Sequence, residues 1–296
     1  RVMLGTETYP KEIGLHWPMV EALPYLVGDF TWTAWDYLGE AGLGKGMFLA
    51  PGDPAAAMAE YHLSSWSSPY PWRLANDADL DLTGCPTPQG DYRSVVWGSR
   101  RTFLFSYDPA VTDQEEFLSR WGFPAVRRCW NWPGAQGQQV RVAVFSAAPE
   151  VVLFCNGREV GRQKAGDALL AGMPHTFVFV LPYSAGRLEA VSLEGGQEVS
   201  RAMLETTGPA AALRLHAEAD SLTADGHSVL CVQVEVVDRE GRLVPDAALP
   251  LQAAVTGEAV RATPSPRKTT PPGNSTATRA VPWRCCAAAT RLATRC

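Results

Sequence analysis

The sequence predicts a multidomain chain, an α/β segment followed by two β segments, and three observations support this. Over the first hundred residues, apolar strand runs alternate with helical stripes, which is the pattern of an α/β unit. From residue 102 onward, short β runs recur at the spacing of a sandwich. After Val260 every periodic pattern stops.

In the first segment, 1–101, residues 1–6 form a short apolar strand that delivers Glu7 at its end. Pro10 and Lys11 then open a helix whose stripe is Ile13, Trp17, Val20 and Leu23. Pro18 is expected to kink or restart that helix, and Pro24 to end it. Residues 26–35, LVGDFTWTAW, read as a strand apolar enough to be buried on both faces, as parallel strands are. A Gly-rich loop follows over 39–46. Residues 89–97 are a second helix, with Tyr92, Val95, Val96 and Trp97 on its apolar face.

The second segment, 102–208, is expected to be one β-sandwich domain, with strands over 102–107, 140–146, 151–155, 176–181 and 187–193. Asn156-Gly157 and Gly195-Gly196 suit two-residue hairpin turns, because both pairs accept positive φ. The stretch 121–132, ending in Trp130-Asn131-Trp132, reads as a long connection stiffened by aromatics. In the third segment, 209–260, Leu213 and Leu215 alternate with polar neighbours and Val229–Val237 forms a strand before a turn at 238–241. An immunoglobulin-like sandwich needs about 100 residues, so this module is expected to be incomplete. The last segment, 261–296, contains no Asp or Glu and is built from Pro, Thr, Ala, Arg and Cys. It is expected to be disordered. A frameshifted translation of GC-rich coding sequence accounts for that mixture better than a basic interaction tail does.

Composition excludes some functions. A formal net charge of −5 argues against a nucleic-acid or anionic-membrane surface, since both need a basic face. No apolar run approaches the ~18 residues of a membrane span. No signal-peptide pattern opens the chain, and the compartment stays open. The seven cysteines form no Cys-x-x-Cys pair and no zinc-ligand cluster with His, so isolated thiols are expected.

Glu7 is the main candidate for chemistry. A carboxylate at the C-terminal end of a strand can attack an anomeric carbon and leave as a glycosyl ester, which suits retaining glycoside hydrolysis. Position alone fits a helix-start carboxylate at least as well. Trp32 offers a flat apolar face to a pyranose, or is a buried core tryptophan. Tyr9 either hydrogen-bonds a carboxylate or packs under the helix. Asp36 and Glu40 either hold sugar hydroxyls or serve as polar rim residues. Asp77, Asp79 and Asp81 invite a calcium reading, but Leu82 and Pro88 stand where the EF-hand loop needs Gly and Glu. A capped turn is expected there, and no metal site.

Two motifs carry a family resemblance. Gly5-Thr6-Glu7-Thr8-Tyr9-Pro10 and residues 25–40, YLVGDFTWTAWDYLGE, resemble the last two barrel strands of glycoside hydrolase family 2, closest to its β-galactosidase branch. Pro71-Trp72, residues 79–84 (DLDLTG) and Tyr92-Arg93 resemble the stretch that closes the barrel. The resemblance implies the C-terminal portion of a (β/α)₈ TIM barrel followed by immunoglobulin-like β-sandwich domains. It makes Glu7 the nucleophile and places Trp32 in the wall of the sugar subsite. It also implies a β-galactoside as substrate, no organic cofactor, and an acid/base glutamate on an earlier strand outside this chain. Glu12 and Glu21, on the helix after Glu7, are not credible substitutes for that glutamate. The longer protein is compatible with a homo-oligomer. β-Glucuronidase and β-mannosidase of the same family are rival readings, and a carbohydrate-binding or adhesive β-sandwich array without catalysis is a third.

Overall fold

The computed structural model describes residues 1–64, 68, 72–221, 223, 225 and 227–250, together with the backbone of 259–262 and 283–289. Pro71 and most of the segment 261–296 lie outside the described residues. The chain divides into two compact units, one holding residues 1–206 and the other beginning at Thr207.

The first unit opens with strand β1 (Met3–Thr8), a short 3₁₀ turn (Pro10–Glu12), helix α1 (Ile13–Ala22) and strand β2 (Leu26–Thr31). β1 and β2 are parallel, with Met3 opposite Leu26, Gly5 opposite Asp29 and Thr8 opposite Thr31. Parallel neighbours need a crossover, and α1 supplies it. The stripe expected on α1 is the face turned inward: Ile13 is buried, and Trp17, Val20 and Leu23 are half-buried among exposed neighbours. Pro18 does not break the helix. Its ring lies on the exposed side, and the last turn still closes from the Leu23 N–H to the Met19 carbonyl at 3.0 Å.

The second strand differs from expectation. It ends at Thr31 rather than at residue 35, and Val27 and Phe30 are each 62% exposed rather than buried. A parallel strand is buried on both faces only when layers cover both, and among the described residues β2 pairs with β1 alone. Beyond Thr31 the backbone pairs with a different partner: the Asp36 N–H donates to the Leu80 carbonyl (2.8 Å) and the Leu80 N–H to the Ala34 carbonyl (2.9 Å).

Strand β3 (Gly46–Leu49), helix α2 (Ala59–Leu63) and helix α3 (Pro88–Val96) follow. Thr87 caps α3 by accepting from the Gly90 N–H, with Pro88 at the first helical position. Tyr92 and Val95 are buried as expected, whereas Trp97 caps the helix C-terminus, half-exposed and 5.3 Å from the Trp17 ring. Two charged residues of α3 are also buried. Arg93 pairs with Asp79 at 2.5 Å, and Asp91 pairs with Arg128.

The rest of the unit comprises β4 (Phe103–Ser106), β5 (Glu115–Leu118), β6 (Gln139–Phe145), β7 (Glu150–Cys155), β8 (Arg158–Lys164), β9 (Thr176–Pro182), β10 (Arg187–Glu194) and β11 (Gln197–Glu205). They form a three-stranded sheet, β4-β6-β9, and a four-stranded sheet, β11-β10-β7-β8, while β3 pairs with β5. Asn156 and Gly157, with φ of 51° and 78°, turn β7 into β8; Gly195 and Gly196, at 59° and 81°, turn β10 into β11.

Side-chain alternation puts the β4-β6-β9 sheet in the middle of three layers. Val140, Val142 and Val144 join Leu153, Leu188, Phe177, Trp130 and Trp132 in the core between the two sheets. From the opposite face, Ala143 and Phe145 join Phe105 and Tyr107 and pack against Ile13 of α1 and Tyr92 and Val95 of α3. That second core runs across the boundary read at 101/102.

The second unit contains β12 (Ala212–Ala217), β13 (Val229–Val237), β14 (Ala259–Ala262) and β15 (Trp283–Ala289), in the order β12-β13-β15-β14. The turn after β13 is tied by Asp238, whose Oδ1 accepts from the Glu240 and Arg242 N–H groups at 3.0 and 2.9 Å. Within the stretch expected to be disordered, residues 261–262 and Trp283–Ala289 therefore have strand backbone.

Candidate active site

Two neighbouring parallel strands bring the first pair of site residues together. Thr8 and Thr31 are register partners, so Glu7 and Trp32 emerge at the same C-terminal ends of β1 and β2. The pairing is reinforced inside: the buried Thr8 hydroxyl donates to the Asp29 carboxylate, and Gly5 lies where a Cβ would come within 2.7 Å of Asp29 Cβ. Glu7 is exposed, and Trp32 is 38% exposed.

Trp32 belongs to a second, acidic cluster. Its ring meets Tyr37 edge-on at 6.1 Å, and the Tyr37 hydroxyl donates to Glu40. The peptide bond between Trp32 and Thr33 is cis. Asp36 is buried, and its Oδ1 accepts from the backbone N–H groups of Tyr37 and Asn76, each at 3.0 Å. Burial nevertheless raises its pKa above the ordinary carboxylate value, helped by the charge of Asp81. Asp77, which sequence reasoning missed as a site residue, is 1% exposed with neither carboxylate oxygen hydrogen-bonded. Burial first, and then repulsion from Asp36, push it up to about 7. Burial and the Glu40 carboxylate also raise the Tyr37 phenol. Trp32, Asp36, Tyr37, Glu40 and Asp77 thus form one polar group beside the end of β2.

Tyr9 is placed differently. Its ring packs edge-on against Trp121 at 4.8 Å, and its hydroxyl meets the Arg120 guanidinium. The other two aspartates of the 77–81 run are structural. Asp81 Oδ1 accepts from the Thr83 N–H (2.8 Å), the Thr83 hydroxyl (2.6 Å) and the Cys85 N–H (3.0 Å), which makes the capped turn. Asp79 is held by Arg93 and Gln89. Of the other acidic residues near β1, Glu12 lies 3.7 Å from His16, and Glu21 accepts from the Trp17 indole at 3.2 Å.

A family model for glycoside hydrolase family 2 C-terminal domain 5 matches residues 213–280, and one for a domain of unknown function, DUF4982, matches 137–200. Residues 213–280 thus match a glycoside hydrolase family 2 domain. The β-galactosidase BoGH2A of Bacteroides ovatus is 30% identical over 176 residues, covering 57% of this chain and 19% of that protein. A β-galactosidase of Thermoanaerobacter pseudethanolicus is 30% identical over 129 residues, covering 40% and 17%. The chain therefore spans about a fifth of the length of these curated relatives. The crystal structure of a glycosyl hydrolase family 2 member from Bacteroides cellulosilyticus superimposes with a TM-score of 0.73 at 29% identity, covering 98% of this chain and 36% of that one.

Proposed function

We propose that this chain is part of a retaining exo-β-glycosidase acting on terminal β-galactosides, with Glu7 as the nucleophile. In this reading β1 and β2 are the last two strands of a (β/α)₈ barrel, and the β-sandwich segments after residue 101 are accessory domains. The observation that supports it best is the parallel register of Thr8 with Thr31, which puts a carboxylate and an aromatic platform side by side at strand C-termini. Glu7 would form a glycosyl ester, and water would release the sugar with help from an acid/base carboxyl on an earlier strand outside this chain. A retaining pair stands roughly 5–5.5 Å apart. Trp32 would stack on the sugar, and Asp36 and Glu40 would hold the rim through which its hydroxyls are read.

The test uses the full-length gene product that carries this chain. A 2-deoxy-2-fluoro-β-galactoside with a good leaving group should trap a covalent adduct on the peptide containing Glu7. Glu7→Gln should lower kcat by more than ~10³-fold, as removal of a nucleophile does. A label on any other carboxylate sinks the assignment. A panel of aryl galactosides, glucuronides and mannosides decides the sugar.

A further inference from the structure

The turn Ser119-Arg120-Trp121-Gly122 comes from well after the proposed barrel strands, yet it touches the loops that follow both of them. On one side, Trp121 lies edge-on to Tyr9, two residues beyond Glu7, and Arg120 meets the Tyr9 hydroxyl. On the other side, the Ser119 hydroxyl donates to the Leu43 carbonyl at 2.6 Å and the Ser119 N–H to the Lys45 carbonyl at 2.9 Å. These are residues of the Gly-rich loop after β2. The turn closes on itself through the Gly122 N–H and the Ser119 carbonyl (3.1 Å), and a Cβ at Gly122 would stand 3.0 Å from the Lys45 carbonyl oxygen.

Both ends of this clamp are anchored. Before the turn, β5 pairs antiparallel with β3, Gly46 opposite Leu118 and Leu49 opposite Glu115. After it, the Ala125 N–H donates back to Glu116 of β5 at 2.8 Å, a carboxylate that also accepts from the Tyr107 hydroxyl at 2.7 Å. The Gly-rich loop passes the restraint onward. The Gly44 N–H donates to the Ala75 carbonyl at 2.8 Å, a Cβ on Gly44 would stand 2.0 Å from the Asn76 carbonyl oxygen, and the Asn76 N–H holds Asp36. On the first side, Tyr9 stands before Pro10, so its backbone is already confined to extended geometry, with φ −65° and ψ 140°. Fixing its ring then fixes the exit of the chain from β1.

We propose that Arg120 and Trp121 are positioning residues of the active site, acting through Tyr9 on Glu7 while Ser119 holds the loop after β2, so that this turn sets the nucleophile against Trp32. The inference rests on the reading of Glu7 as nucleophile. A displacement of about 1 Å at a reacting group can cost on the order of 10²-fold in rate, which gives such a clamp kinetic weight without contact to the sugar.

The test compares Trp121→Ala, Trp121→Phe and Arg120→Ala in the full-length enzyme with an aryl β-galactoside, alongside fluoro-sugar labelling of the wild type. Trp121→Ala should lower kcat ~10- to 100-fold, in the range expected of misplacement, with KM changed far less. Trp121→Phe, which keeps an aromatic edge for Tyr9, should recover most of the loss. Arg120→Ala, at an exposed position, should lower kcat by a smaller factor at unchanged melting temperature. If the wild type is labelled at Glu7 but Trp121→Ala turns over like the wild type, the clamp is refuted and the nucleophile stands. If the label lies elsewhere, the nucleophile reading itself has failed. Should Trp121→Ala not fold, Arg120→Ala decides: wild-type kcat in that variant overturns the proposal.

Discussion

Thr8 and Asp29 are joined across the two parallel strands by a hydrogen bond from a hydroxyl that is 3% exposed, one residue from Glu7. The bond sits between the register pairs Gly5–Asp29 and Thr8–Thr31, where the pairing is irregular. A side-chain bond at such a place fixes which strand positions emerge together, and so which residues share the strand ends.

Thr8→Val keeps the shape of the side chain and removes the donor. It should lower unfolding free energy by about 1–2 kcal/mol, the cost of leaving the partly buried Asp29 acceptor short of a partner. Urea denaturation measures this. An unchanged midpoint would show that solvent replaces the bond.

Asp77 makes stability depend on pH in a defined direction. Its folded pKa of about 7 lies above the ordinary value of 3.8, because burial opposes its charge. The neutral form is the one the fold accepts. The group's contribution is therefore intact below about pH 4 and is lost as pH rises through 7. Asp77→Asn, neutral at every pH, should match the wild type below about pH 4, pull ahead as pH rises toward 7, and exceed it at pH 8 by about 1–3 kcal/mol, the range for relieving a buried charged group. Parallel melting curves across that range would rule the effect out.

The Arg93–Asp79 pair should behave as a buried ion pair, with side chains 4% and 15% exposed. Arg93→Met leaves Asp79 charged and unpaired, and should cost about 3–5 kcal/mol. Adding Asp79→Asn should return part of that loss, because the stranded charge is gone. A double-mutant cycle by chemical denaturation reads the coupling.

Phe145→Ala tests the three-layer arrangement. Phe145 is fully buried and points toward Tyr92, 5.7 Å away between ring centroids, rather than into the space between the sheets. The substitution should cost about 3–5 kcal/mol. Amide exchange should speed up in α1 and α3 more than in β7 and β10. Uniform loss of protection would contradict the layer assignment.

Much of the fold could be read in advance where one face of a segment repeats. The valines of β6 and the stripe on α1 show periods of 2 and 3.6 because each segment meets a core on a fixed side. The strands β8 and β11 escaped that reading. They are the outer strands of the four-stranded sheet, and REVGRQK and QEVSRAMLE carry the charges of a solvent face. β3 and β5, four residues each, are too short to show a period.

The amino-acid sequence by itself determined the strand–helix–strand opening, the hairpin turns at Asn156-Gly157 and Gly195-Gly196, and the pairing of a Glu7 motif with a Trp32 motif. Each of these depends on residue type or spacing within one short segment. Only the tertiary structure decided that Asp77 is buried beside Asp36, and that Tyr9 turns to Trp121 and Arg120. Those relations join residues far apart in the chain, and proximity of that kind is created by packing, which no local period encodes.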